Sequence, residues 1–167
     1  YVAPLRKAGT VTAENVKKMD YVAVQRSGDI EDTRTFTGNM KSGFFNSLDR
    51  KLIDDLIDNF EAHPDRSTRF GFGRMGGAIS RVGRNETAFS QRDANFSMLS
   101  FVSWKTGTEG EEHVKYINSH WSNTEPFRTG FYVNDYFDHT QEMVNRTYRD
   151  NFPRLAKIKK QYDPTNL

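Results

Sequence analysis

Tyr132 and Asn134 stand two residues apart in the stretch FYVNDYF, and both types have definite chemical uses. A phenolic hydroxyl serves as a general base when its surroundings lower its pKa from about 10. A primary amide carries donors and an acceptor, which suits it to read the carbonyl and N–H edge of a heteroaromatic ring. Turn and core duties are the plainer reading of both residues, and the bare sequence leaves the choice open. The glycines of FGFGRMGG invite a phosphate-loop reading. Gly71-x-Gly73-x-x-Gly76 leads, however, into AISRV, which reads as extended, so neither a dinucleotide fingerprint nor a P-loop is met. Close approach of a strand to a ligand, or a simple bulge, is expected instead. The four histidines, His63, His113, His120 and His139, lack HxxxH or HExxH spacing. They predict packing or surface roles and no metal site. The basic run RLAKIKKQY reads as the solvated face of an amphipathic helix, with an anion- or nucleic-acid-binding role behind it.

The whole composition narrows the field. A chain of 167 residues is long enough for one core. Its 35% hydrophobic and 28% charged residues are ordinary for a soluble protein. Nothing approaches the roughly 20 continuous apolar residues of a membrane span. No compartment is fixed, although a soluble, cytoplasmic setting is favoured. With no cysteine there is no disulfide, thiolate metal site or cysteine nucleophile. Twenty-four basic against 22 acidic residues give a net charge of +2, too even to point to nucleic acid. Thirteen Phe, seven Tyr and two Trp serve either core packing or a wall around a planar ligand.

The elements that must position these residues follow from periodicity and punctuation. Residues 1–24 show no sustained period and read as a connecting segment, with Tyr21 to Gln25 a short extended or buried piece. A strand is predicted from about Arg34 to Lys41. Leu48, Leu52, Ile53, Leu56, Ile57 and Phe60 recur every three or four residues, giving a helix capped by Ser47, favoured by Asp49 in its first turn and stopped by Pro64. TRFGFGRMGGAISRV and ANFSMLSFVSWK read as strands around a polar loop, GRNETAFSQRD, with Gly76-Gly77 a bend in the first. Thr108 and Glu111 fit a capping box opening a helix whose buried face carries Val114, Ile117 and Trp121. FRTGFYVNDYF is a further strand. The remainder is helical in two pieces, because Pro153 requires a second helix to begin near Asn151. This order predicts an α+β fold: an antiparallel sheet with helices packed on one face, plus a C-terminal helical segment.

The last residues carry a specific likeness. YVNDYFD followed by NFPRLAKIKKQYDPTNL resembles the carboxyl-terminal segment of the berberine bridge enzyme-like FAD-linked oxidases. The matched positions are Tyr132, Asn134, Asn151, Phe152, Arg154, Leu155, Lys159, Tyr162, Asp163, Pro164 and Asn166, with Ile158 in place of a valine. Upstream, GNMKSGFFNSLDRKLIDDLID and GRMGGAISRVGRNETAFSQRD are similar to that family's Lys-Ser strand and the segment after it. The resemblance implies that residues 1–125 are part of a substrate-binding α+β domain. Residues 126–167 would then be its last strand and the helical berberine-bridge-like segment. It implies FAD as cofactor, a small hydroxylated molecule as substrate (a sugar, an alcohol or a secondary metabolite), and hydride transfer to the flavin. A flavin-binding domain would precede Tyr1, so the chain would be roughly the last third of an enzyme, inert and colourless by itself. It would also be able to dimerise through surface meant for that domain.

The resemblance also implies roles. Tyr132 occupies the position of the base tyrosine of the sugar-oxidising members, and Asn134 would contact the flavin's polar edge. Arg81 stands where the berberine bridge enzyme has its catalytic glutamate. A guanidinium cannot act as a base, so Arg81 would bind an anionic or hydroxylated substrate instead. Arg74 and Met75 replace Pro-Tyr, Gln91 replaces a loop histidine, and Asp135 replaces a second tyrosine. Two other functions compete: a ligand-binding or dimerising domain that has lost flavin chemistry, and a basic nucleic-acid module. The even charge argues against the second.

Overall fold

The computed structural model describes residues 2–29, 35–63, 68–135 and 140–166. Two compact units divide it, Tyr1–Thr33 and Arg34–Leu167. The first holds two short helices, α1 (Ala3–Arg6) and α2 (Tyr21–Arg26), neither with a buried residue. The stretch Tyr21–Gln25 was expected to be extended or buried. It is helical because the Asp20 carboxylate accepts the amides of Val22 (2.9 Å) and Ala23 (3.3 Å). That N-cap outweighs the strand preference of two valines.

In the second unit, β1 (Phe36–Phe45), β2 (Arg69–Arg74), β3 (Phe96–Lys105) and β4 (Arg128–Phe131) form one antiparallel sheet. The strand order is β2-β3-β1-β4. The long central pair sets Gly43 opposite Met98 and Phe45 opposite Phe96. Because side chains alternate along a strand, Phe45 and Met98 share one face. There they meet Leu52 and Leu56 of α3 (Arg50–Ala62) and Trp121 of α5 (Glu111–Asn123), and this cluster is the core. A Cβ on Gly43 would lie 3.2 Å from the Trp121 ring, so the glycine lets that ring sit close over β1. The predicted α+β architecture, antiparallel with helices on one face, is the one observed.

Several local expectations give way. The first strand runs on to Phe45, since Ser42, Gly43, Phe44 and Phe45 are its buried part. The cap of α3 is Asp49 and not Ser47, while Pro64 lies outside the described residues. Only Leu52 and Leu56 of that helix are buried; Ile53 and Ile57 stay exposed because the sheet takes one line of contacts from a wider apolar stripe. Residues 78–81 were expected to continue a strand. Gly76 (φ 133°) and Gly77 (φ 57°) instead turn the chain off the sheet into a single helical turn, α4 (Ala78–Arg81). Helix α5 is capped by Gly110, and Thr108 spends its hydroxyl on the Lys105 carbonyl (2.6 Å), so no capping box forms. Its buried residues are Ile117, His120 and Trp121, with Val114 only half-buried. Strand β4 ends at Phe131 and passes into a 3-10 turn, Val133–Asp135. The continuation through Tyr136 and Phe137, and His139, lie outside the described residues. The two closing helices are α6 (Gln141–Tyr148) and α7 (Phe152–Tyr162), with Pro153 in the first turn of α7 as predicted.

Candidate active site

Tyr132 is the first residue past β4, and the turn behind it is closed by the Asp135 amide donating to the Tyr132 carbonyl (3.1 Å). Inside that turn the Asn134 amide Nδ2 donates to the Tyr132 hydroxyl oxygen at 2.9 Å. The two residues singled out by spacing are therefore direct partners. Tyr132 is 41% exposed, reachable by a ligand. Asp135 accepts the hydroxyl proton of Ser42, a buried residue of β1, which ties the turn to the sheet.

These side chains open onto the face of the sheet opposite the core. Ser42 and Phe44 of β1 point there, as do their β3 partners Leu99 and Ser97. Gly71 and Gly73 of β2 supply bare backbone beside them, and a Cβ on Gly71 would meet only Leu99, at 4.0 Å. The result is a cleft of about 470 Å³ whose lining includes Phe44, Met75, Phe89 and Leu99, with Ser42, Tyr132 and Asp135 as its polar side. Large, mostly apolar and with few convergent polar groups, it has the usual character of a small-molecule site. Arg81 is exposed and is not among the residues lining it.

One wall of the cleft depends on the end of the chain. Phe89 stacks edge-on against Phe44, ring centroids 5.5 Å apart. It belongs to the loop of residues 83–93, which the closing helices hold through their polar side chains. Asn151 donates to the carbonyls of Arg84 (2.9 Å) and Thr87 (3.0 Å), and Arg154 donates to that of Asn85 (3.1 Å). From the loop, Gln91 donates to the carbonyls of Arg146 (2.9 Å) and Thr147 (3.2 Å) and accepts from Arg149 (2.7 Å). Arg149 also pairs with Asp93 at 2.7 Å. Partial burial works against the Asp93 charge, yet the hydrogen bond from Arg149 and the nearby Arg84 bring its carboxyl below the usual range. Gln91 is itself fully buried, and a Cβ on Gly130 of β4 would run into it. Sequence spacing does not announce this clamp, because its partners lie 55 to 69 residues apart.

The histidines pack. His120 is buried between Phe70 (4.5 Å) and Tyr116 (6.1 Å), and His113 stacks on Trp104 at 5.4 Å. Burial pushes the His120 imidazole down to about 4. Among the described residues no group of three or more His, Asp or Glu is placed to hold a metal ion. Also among them, no helix is long and apolar enough to cross a membrane.

The family model described as berberine and berberine-like matches residues 131–167, the stretch that opens with Phe131 and Tyr132. The chain is 28% identical over 176 residues to the uncharacterized FAD-linked oxidoreductase YvdP of Bacillus subtilis, covering 98% of this chain. Its residues 131–167 are berberine-like. Among solved structures, BBE-like 1 of Physcomitrella patens superposes at a TM-score of 0.67, with 25% identity over 78% of this chain and 28% of that one. A glycopeptide hexose oxidase, DBV29, crystallised with teicoplanin, superposes at 0.70 with 21% identity, over 78% of this chain and 30% of that one. Its likeness speaks for the fold alone. The chain spans 38% of the length of the Bacillus relative. The motif residues Asn151 and Arg154, which mark the family in sequence, are the ones that hold the cleft's loop wall.

Proposed function

We propose that the chain supplies the substrate side of an FAD-dependent oxidoreductase site that oxidises a hydroxylated small molecule. The observation that carries the reading is the Tyr132–Asn134 pair at the edge of an apolar cleft, inside the segment matched by the family. The Bacillus relative is an FAD-linked oxidoreductase by description, which favours this chemistry over a basic nucleic-acid module.

The cleft fits a flavin in character. Gly71, Gly73 and the half-exposed Leu99 make an apolar floor for a planar ring, and the Asn134 amide, whose N–H is given to Tyr132, keeps its oxygen as an acceptor. Bound FAD would supply the hydride acceptor. The chain's own part is the proton. As the phenolate, Tyr132 Oη would take the proton of the substrate hydroxyl and become the neutral phenol, and the N–H donated by Asn134 holds that oxygen in position for it. Phe44, Phe89 and Leu99 keep water from the reacting carbon. Arg81, outside the cleft lining, is a candidate contact for a hydroxylated part farther along a substrate; Arg81→Ala tests it through substrate affinity. The reading itself is tested on the protein at its natural length. Its visible spectrum should show flavin, and that absorbance should bleach when an alcohol or sugar substrate is added without oxygen. A colourless protein that FAD cannot reconstitute overturns it and favours the alternative, a binding domain without flavin chemistry.

A further inference from the structure

We propose that Asp135 sets the substrate class of this cleft: a flat, largely apolar molecule bearing a cationic amine, or failing that a neutral hydroxyl, and not an anion. The assignment rests on reading the cleft as the substrate site. Its polar side chains are Ser42, Ser97, Tyr132 and Asp135, and among the described residues no lysine, arginine or histidine lines it. The one formal charge facing the ligand is therefore a carboxylate.

The donors in the cleft are already committed in ways that leave this carboxylate unsatisfied. Ser42 gives its proton to Asp135 Oδ2, and Ser97 faces the Gly73 carbonyl at 3.5 Å. Ser42 is the one side-chain donor to Asp135 among the described residues. An ionised carboxylate offers about four acceptor sites, so most of its capacity remains open towards the cavity. Asp135 is half-buried, and a charge set against Phe44, Phe89 and Leu99 is costly in so far as it loses water without gaining a partner. A ligand ammonium group reaching Asp135 offsets that cost with a charge-assisted bond, a hydroxyl does so in part, and a carboxylate adds repulsion. The aromatic and aliphatic lining takes the flat body of the same molecule. Asp135 follows Tyr132 by three residues in a single turn, so the group it grips lies close to the proposed base.

Three isosteric probes decide the matter: 2-naphthylmethylammonium, 2-naphthylmethanol and 2-naphthoate, titrated by calorimetry into the protein and its Asp135→Asn variant at neutral pH. Asparagine keeps an oxygen for Ser42, so the turn is expected to survive, and a melting curve checks this. In the unmodified protein the ammonium should bind tightest and the carboxylate weakest, with about tenfold or more between ammonium and alcohol. Asp135→Asn should remove that gap while changing alcohol affinity by less than about threefold. Equal affinities for the three probes, the carboxylate binding tightest, or an ammonium preference that survives Asp135→Asn overturns the proposal. The order in the unmodified protein decides it even where the variant fails to fold. None of these titrations needs flavin. A colourless protein with the expected probe order sinks the oxidase reading alone, and a flavin-containing protein with the wrong order sinks this inference alone.

Discussion

Tyr132 and Asn134 act as a unit because one 3-10 turn holds the amide against the phenol oxygen. Removing the amide should slow substrate oxidation by about tenfold, the usual worth of one hydrogen bond to a charged oxygen, and Asn134→Ala followed by flavin reduction rates checks it. His120 makes a separate prediction, about stability. The folded protein keeps its pKa near 4, below the ordinary 6.5, because burial penalises the imidazolium. As pH falls, the unfolded chain takes up this proton first. The stability owed to neutral His120 is therefore complete above about pH 6.5 and is lost as the pH falls towards 4. The loss approaches about 3 kcal/mol. The drop in urea midpoint between pH 7 and pH 4.5 should shrink in His120→Phe, whose ring can keep the stack on Phe70. At this scale the sequence was partly legible. Tyr132 and Asn134 were visible by spacing and by family resemblance. The resemblance touched Gln91 and the Lys-Ser strand, but the hydrogen bonds of Ser42 and Gln91 were not legible, since each is made to a partner far along the chain.

The elements explain how a carboxyl-terminal motif comes to shape the cleft. Asn151 sits between α6 and α7 and reaches back to the carbonyls of Arg84 and Thr87, on the loop that carries Phe89 into the cleft. Replacing Asn151 by Ala removes the two hydrogen bonds of a buried side chain, a loss of about 2 kcal/mol. It should appear as a lower urea midpoint and as faster hydrogen exchange confined first to residues 84–91. Gly130→Ala attacks the same clamp from β4. Its methyl group meets Gln91, and overpacking of this kind costs about 1–3 kcal/mol; the melting temperature reads it. The long amphipathic helix α3 and the Pro153 break were legible because periodicity and proline chemistry act locally. The capping of α2 and the one-turn α4 were missed for the opposite reason. Asp20 and the Gly76-Gly77 pair impose backbone geometry on residues whose own propensities point to strand.

At the scale of the whole molecule, the two units differ in how much they bury. Neither α1 nor α2 has a buried residue, whereas β1 and β3 run through the core. Amides of α1 and α2 should therefore exchange with solvent at near-unprotected rates while those of residues 98–102 are the slowest in the chain; hydrogen exchange read by mass spectrometry separates the two. The sheet divides the larger unit into a face that α3 and α5 seal and a face that keeps the cleft, and the closing helices brace the loop at its side. A base at Tyr132 on the open face can be tested by the rate of flavin reduction by substrate, measured by stopped-flow absorbance without oxygen, in the natural-length protein and in Tyr132→Phe. The variant should be slower by at least ~10² with substrate affinity little changed. An unchanged rate removes Tyr132 from the chemistry.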